Sequence, residues 1–272
     1  MYDPERYEKF KSAAARDAAE FAPKLVSEME WNSKEVILDY GCGAGSTGFN
    51  FILPTVEKHD SKLFSVDISE KMIEFAEKEY AHPRITYAVG DILGDFPYKS
   101  MQFDKILSIY VLHFVKDYRE AVKKFYNALK PGSQLGFTVV GQSRIFQALV
   151  DIGSRETWKD IMKGYEKYVP EWVEKKQDVQ KCFKDALTSA GFEIQKIELH
   201  NQKWKYSTLD SFVEFYMSLN PFVRNLSPNQ LKQMKDDYID MVKNQWNALG
   251  DDGQPAEGKY ELLYVLAKKP LQ

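Results

Sequence analysis

Three aspartates and one glycine loop are the residues whose types and spacing suggest chemistry. Asp39 ends the apolar run Val36-Ile37-Leu38, and Gly41-Cys42-Gly43-Ala44-Gly45 follows one residue later. A strand breaking into glycines brings backbone against a ligand, because a residue without a Cβ turns sharply and tolerates close approach. Spacing narrows the ligand. A dinucleotide fingerprint, G-x-G-x-x-G, needs its third glycine where the chain has Ser46, and a phosphate loop needs G-x-x-x-x-G-K followed by Ser or Thr, so neither pattern fits. Asp39 would repel a pyrophosphate at the helix start that a dinucleotide enzyme offers to it, and suits a ligand amine better. Asp67 ends the run Leu63-Phe64-Ser65-Val66, where a carboxylate accepts hydrogen bonds from ribose hydroxyls, and Asp91 follows the short run Ile85-Thr86-Tyr87-Ala88. Singly, each aspartate would serve as a helix cap or turn residue; together, in strand–helix register, they describe a ligand cradle.

The elements that position them follow from periodicity. Tyr7 to Met29 reads as a helix lying over the ligand. Strands are expected at Val36–Asp39, Leu63–Asp67, Ile85–Ala88, Phe103–Tyr110 and Leu135–Val140, with helices from Gly45, behind Ser69 as cap, and over 117–129 stopped by Lys130-Pro131-Gly132-Ser133. Five turns of strand–helix alternation predict an α/β fold with a mostly parallel sheet covered by helices on both faces. Residues 1–140 are read as the core with its cover helix, 141–176 as an aromatic-rich helical insertion forming a cap, and 177–272 as the rest of the core. This last part includes a second helical excursion over 200–257. Two late strands, Phe192–Leu199 and Tyr260–Ala267, bring the expected total to seven and give the sheet an antiparallel finish.

With 272 residues, 44% of them hydrophobic, the chain can bury a full core. A net charge of −3 gives no basic footprint for nucleic acid. Two cysteines, Cys42 and Cys182, make neither a disulfide framework nor a four-ligand zinc site, so no metal is expected and a reducing compartment, the cytoplasm, is favoured. The charged first thirty residues read neither as a signal peptide nor as a membrane span.

Acids ending successive strands, with a glycine loop after the first, resemble the S-adenosylmethionine site of class I methyltransferases, which have a Rossmann-like fold. By position the resemblance places Asp39, Gly41, Cys42 and Gly43 at the methionine end of the cofactor. Asp67 and Ile68 fall at the ribose, Asp91 and Ile92 beside the adenine, and Ser108 at the end of the fourth strand. Arg16-Asp17, the run from Val66 to Met72, Ser108-Ile109-Tyr110-Val111-Leu112-His113-Phe114-Val115 and the region around Trp158 go further. They resemble insect juvenile hormone acid O-methyltransferases along essentially the whole chain. The resemblance implies a sesquiterpenoid carboxylate as acceptor, gripped by a Gln on the first helix and a Trp after the Leu-His pair. Here those positions are Ala14 and Phe114.

Losing both polar handles dries the acceptor pocket, and an ionised carboxylate without partners is costly to desolvate. The expected acceptor is therefore a small hydrophobic molecule methylated on a phenolic or other hydroxyl oxygen, with farnesoic or juvenile hormone acid carboxyl as the alternative. A phenol must lose its proton as the methyl arrives, which makes His113 the candidate base. Tyr7, Tyr110 and Phe114 are candidate walls, their rings tolerating the sulfonium charge, and Trp158 is the acceptor candidate of the insertion. A non-catalytic carrier of hydrophobic ligands is the remaining reading.

Overall fold

Phe21, Ala22, Leu25 and Val26 recur at the spacing of one helix face, and the computed structural model winds Ser12–Glu28 into helix α1 with all four buried. The structure describes residues 4, 5, 8, 11–204, 208–246 and 258–271. Seven strands form one sheet: β1 Val36–Tyr40, β2 Lys62–Asp67, β3 Ile85–Val89, β4 Phe103–Ile109, β5 Leu129–Ser143, β6 Glu193–Trp204 and β7 Gly258–Lys268. Their order is β3-β2-β1-β4-β5-β7-β6. The pairs β1–β2, β1–β4, β2–β3 and β4–β5 are parallel. The Gly132 N–H donates to the Lys269 carbonyl at 2.9 Å, and the Lys269 N–H donates to the Ser133 carbonyl at 2.8 Å. At the far end, the Gln142 N–H donates to the Glu261 carboxylate. These contacts run β7 antiparallel to β5.

Neighbouring residues of a strand point to opposite faces, and β5 shows both faces covered. Gly136 leaves room for Leu25 of α1 and for Met29 at its C-cap, whereas Phe137 packs against Phe183. Phe183 lies on α7, Val179–Ala190, and touches Tyr118 of α4, Tyr118–Ala128. The predicted architecture is thus the observed one: an α/β sheet of seven strands, mostly parallel, with helices on both faces.

Local differences have local causes. β5 begins at Leu129 rather than Leu135, because the stretch read as a helix stop pairs within the sheet, with Gly132 in the left-handed region and the register against β4 shifting between Phe103 and Lys105. The helix expected from Gly45 opens as a π-helical turn, Gly48–Ile52, before α2, Leu53–Lys58. Ser69 occupies the cap position of α3, Glu70–Glu79, but makes no side-chain cap bond.

The chain divides into two compact units. One comprises Met1–Val140, Asp178–His200 and Leu262–Gln272, and the other comprises Gly141–Gln177 and Asn201–Glu261. The second is helical through α5 Arg144–Gly153, α6 Glu171–Glu174, α8 Leu209–Leu219 and α9 Pro228–Asp240. α9 starts with a Ser227–Gln230 capping box and Pro228 in its first turn, where the missing N–H costs nothing. Among the described residues no helix is long and apolar enough to cross a membrane.

Candidate active site

Strand order reverses between β1 and β4, and an open parallel sheet receives ligands at the carboxyl ends of its strands at such a point. Asp39 stands next to the end of β1, opposite Ser65 and Leu107 on the flanking strands. Its Oδ2 is buried with no hydrogen-bond partner among the described residues. A Cβ on Gly48 would fall 2.6 Å from that oxygen, so only a glycine lets the π-helical turn come this close. Burial first, and the neighbouring Asp67 carboxylate second, push the Asp39 carboxyl up to about 7.

The glycine loop turns through left-handed backbone at Gly41, Gly43 and Gly45. At Gly41, φ is +76° and a Cβ would meet Val111 Cγ2 at 2.3 Å, so the loops after β1 and β4 pack directly on one another. Gly41→Ala is expected to cost about 1–3 kcal/mol of stability, read as a lowered midpoint in denaturant unfolding. Asp67 fastens this loop. Its Oδ2 accepts the Gly43 N–H at 2.9 Å and its Oδ1 accepts the Ser69 N–H at 2.9 Å, while burial raises its carboxyl. Asp91 Oδ1 accepts the Leu93 N–H at 2.9 Å, and the Tyr40 hydroxyl lies 3.4 Å from both that oxygen and the Ile92 nitrogen. Ile92 is buried beneath, whereas Ile68 is 69% exposed and Val89, across from Asp67, is 46% exposed.

A cavity of about 270 Å³ adjoins the loop, lined among others by Lys11, Ala14, Cys42, Ser46, Ile109 and Tyr110. Lys11 Nζ donates to Ser46 Oγ at 2.6 Å and pairs with Glu8. Burial pushes the Cys42 thiol well up, which keeps it in the inert protonated form. Ser108 is fully buried, its hydroxyl without a hydrogen-bond partner among the described residues.

The structure brings together Asp39, Gly41, Cys42, Gly43, Asp67, Ala14 and Tyr110, with Ile68, Asp91 and Ile92 at the ends of the next strands. His113 sits apart from the cavity lining. The short 3₁₀ turn Leu112–Phe114 buries it. Its Nδ1 accepts the Val140 N–H at 3.4 Å, and burial pulls its imidazole down to about 3. Phe114 is 52% exposed, its ring 4.2 Å from His113. Trp158 is fully buried in the second unit, its indole N–H donated to Asp237 at 2.6 Å. Tyr7 lies outside the described residues. Lys11, Ser46 and Val89 were missed. Val89 was findable as the end residue of the third strand, but a lysine in a charged first helix carries no sequence signal.

A sulfonium nucleoside needs an anion facing its amine, acceptors for its hydroxyls and flat apolar walls for its base. The partnerless oxygen of Asp39, the carboxylates of Asp67 and Asp91, and the exposed Ile68 and Val89 supply these in that order along β1, β2 and β3, so the residues fit the group.

Comparison with known proteins points the same way. The family described as "Methyltransferase domain" matches residues 38–137, from β1 into β5. Juvenile hormone acid O-methyltransferase of Bombyx mori is 25% identical, over 89% of this chain and 87% of its own length. The Drosophila melanogaster protein of the same name is 24% identical, over 97% and 91%. Among solved structures, the YcgJ protein of Bacillus subtilis shares the fold with a TM-score of 0.63 at 16% identity, covering 92% of this chain and 97% of that one. Haemonchus contortus phosphoethanolamine N-methyltransferase 2, solved with S-adenosyl-L-methionine, gives a TM-score of 0.53 at 18% identity, covering 94% and 52%. The strand-end acids, the glycine loop they hold and these likenesses agree: residues 38–137 carry a methyltransferase domain on the class I fold, and the chain is similar along most of its length to the juvenile hormone acid O-methyltransferases.

Proposed function

We propose that the enzyme methylates the carboxylate oxygen of an apolar acid of the isoprenoid type, forming a methyl ester. The observation that carries this reading is a cation in the cavity lining together with a buried His113 unfit to serve as the base. Lys11 lines the cavity beside the glycine loop, and the His113 imidazole, drawn down to about 3, is too weak a base to take a phenol's proton near neutral pH. A carboxylate arrives already ionised and asks only to be held. The weight therefore moves from the phenol favoured by the sequence to the carboxyl alternative. The name of the Bombyx and Drosophila relatives supports the same acceptor class.

When bound, the cofactor supplies an electrophilic methyl group on a sulfonium sulfur. The chain's own residues bind and orient. Lys11, hydrogen-bonded to Ser46 and ion-paired with Glu8, offers its ammonium to an acceptor carboxylate that takes the place of the Glu8 carboxylate, standing in for the handles replaced by Ala14 and Phe114. Ala14, Ile109 and Tyr110 wall the cavity and exclude water, so the acceptor oxygen sheds hydration before attack. Neutral His113 keeps its proton on Nε2, because Nδ1 accepts from Val140, and acts as a spacer behind Phe114. The two cysteines, both outside any disulfide, suit the cytoplasm as the site of this reaction.

Farnesoic acid and a panel of simple phenols, incubated with methyl-labelled S-adenosylmethionine, test the proposal. Ester formation from the acid is expected, with kcat at saturating cofactor flat from pH 6 to 9, and Lys11→Met should raise the acid's KM about 10- to 100-fold, the loss of a bond to a charged group. Methylation of phenols alone, with kcat rising toward pH 10, would overturn it.

A further inference from the structure

The Arg16-Asp17 pair, with no role in the chemistry above, reaches the site through the interior. Asp17 on α1 is fully buried at 0% exposure, and a carboxylate so placed is tolerated only with strong partners. Arg16 donates from Nε at 3.0 Å and Nη2 at 2.6 Å to Asp17 Oδ1. The Tyr110 hydroxyl donates to Oδ2 in a short hydrogen bond. Tyr110 follows β4, where the sheet order reverses, and its backbone lies in the left-handed region at φ +65°, which costs a non-glycine residue free energy and is kept only where the surroundings impose it. Here both ends of the residue are held: its N–H lies 3.2 Å from the Thr138 carbonyl and 3.2 Å from Thr138 Oγ1, and its hydroxyl is bound to α1. Tyr110 and the Ala14–Ala18 side of α1 face the same cavity.

We infer that Asp17 is a positioning residue, a buried latch that grips the Tyr110 hydroxyl and so fixes α1 and the loop after β4 as opposing walls of the cofactor end of the cavity. The inference is independent of the acceptor's identity. A tether between two walls does its work once, so cutting it from either side has the same result as cutting it from both. Asp17→Asn loses the charge but keeps an acceptor oxygen, and Tyr110→Phe keeps the ring but loses the hydroxyl.

The test is a double-mutant cycle read by calorimetry with S-adenosylhomocysteine, by amide hydrogen exchange of the ligand-free enzyme, and by thermal melting. Tyr110→Phe should weaken S-adenosylhomocysteine about 10-fold, with Asp17→Asn equal or smaller and the double variant no weaker than Tyr110→Phe. Exchange should rise about 10-fold for amides 15–22 of α1 while those of 118–128 stay unchanged. Additive losses, unchanged S-adenosylhomocysteine affinity, or exchange that rises evenly across the protein with a lowered melting temperature would each overturn the latch. Should Asp17→Asn fail to fold, Tyr110→Phe alone decides through the contrast between 15–22 and 118–128.

Discussion

Asp67→Ala is expected to weaken S-adenosylhomocysteine by at least about 100-fold, the loss of two hydrogen bonds to a charged acceptor. The substitution acts twice. It removes the carboxylate proposed for the ribose hydroxyls, and it strips the Gly43 and Ser69 N–H groups of their acceptor, releasing the loop on which the cofactor's other end would rest. Asp67→Asn, which retains one acceptor oxygen, should fall between the two. Titration calorimetry measures the affinities, and thermal melting reports the loop's share as a lower midpoint for Asp67→Ala without any ligand. An affinity within a few-fold of the parent would remove Asp67 from the cofactor site.

The second expectation turns on a carboxyl poised near neutrality. Burial, with the Asp67 carboxylate beside it, pushes the Asp39 carboxyl up to about 7 in the folded chain, against 3.8 for an unperturbed side chain. The folded state therefore binds its proton more tightly than the unfolded state. Between pH 4 and 7 folding takes up a proton, so stability falls as pH rises through that window, and above about 7 the full penalty applies, up to about 4 kcal/mol. Asp39→Asn carries no charge to bury. Its ligand-free form should melt about 5 °C or more above the parent at pH 8 and close to it at pH 4. The same substitution should weaken S-adenosylhomocysteine about 100-fold, because the ammonium of the ligand loses the anion it would neutralise. Binding to the parent at pH 6.5 should release a proton as Asp39 ionises against that ammonium. Calorimetry in buffers of different ionisation enthalpy reads this directly, and in Asp39→Asn the release should vanish. A variant that melts lower than the parent at pH 8 would contradict the burial argument.

These two aspartates were legible in the sequence for a simple reason. A buried strand is an apolar run, and its carboxyl end is marked by the first acid that breaks it, so Asp39 and Asp67 declared the strands and, with them, the candidate site. The sheet followed from the same alternation. What stayed hidden depends on distance along the chain or on a turn. Asp17 and Tyr110 are 93 residues apart, and no local pattern announces that they meet. His113 looked like a base because a histidine at a strand end is commonly accessible, but a single 3₁₀ turn carries it inward and makes Phe114 the exposed neighbour. Trp158 had the composition of a ligand wall, and its commitment to Asp237 on a helix far along the chain was invisible from its own neighbourhood.

The place of β7 bears on how the protein comes to exist at all. It is inserted between β5 and β6, although it is the last of these seven strands in chain order. During synthesis β5 and β6 have nothing to pair with on those sides until residues 258–268 emerge, so the nascent sheet carries two open seams that invite association with other chains. The half that carries the candidate site, β1 to β4, has all its partners long before that moment. Assembly should thus proceed from the ligand-binding edge outward, with the final strand closing the sheet as a keystone.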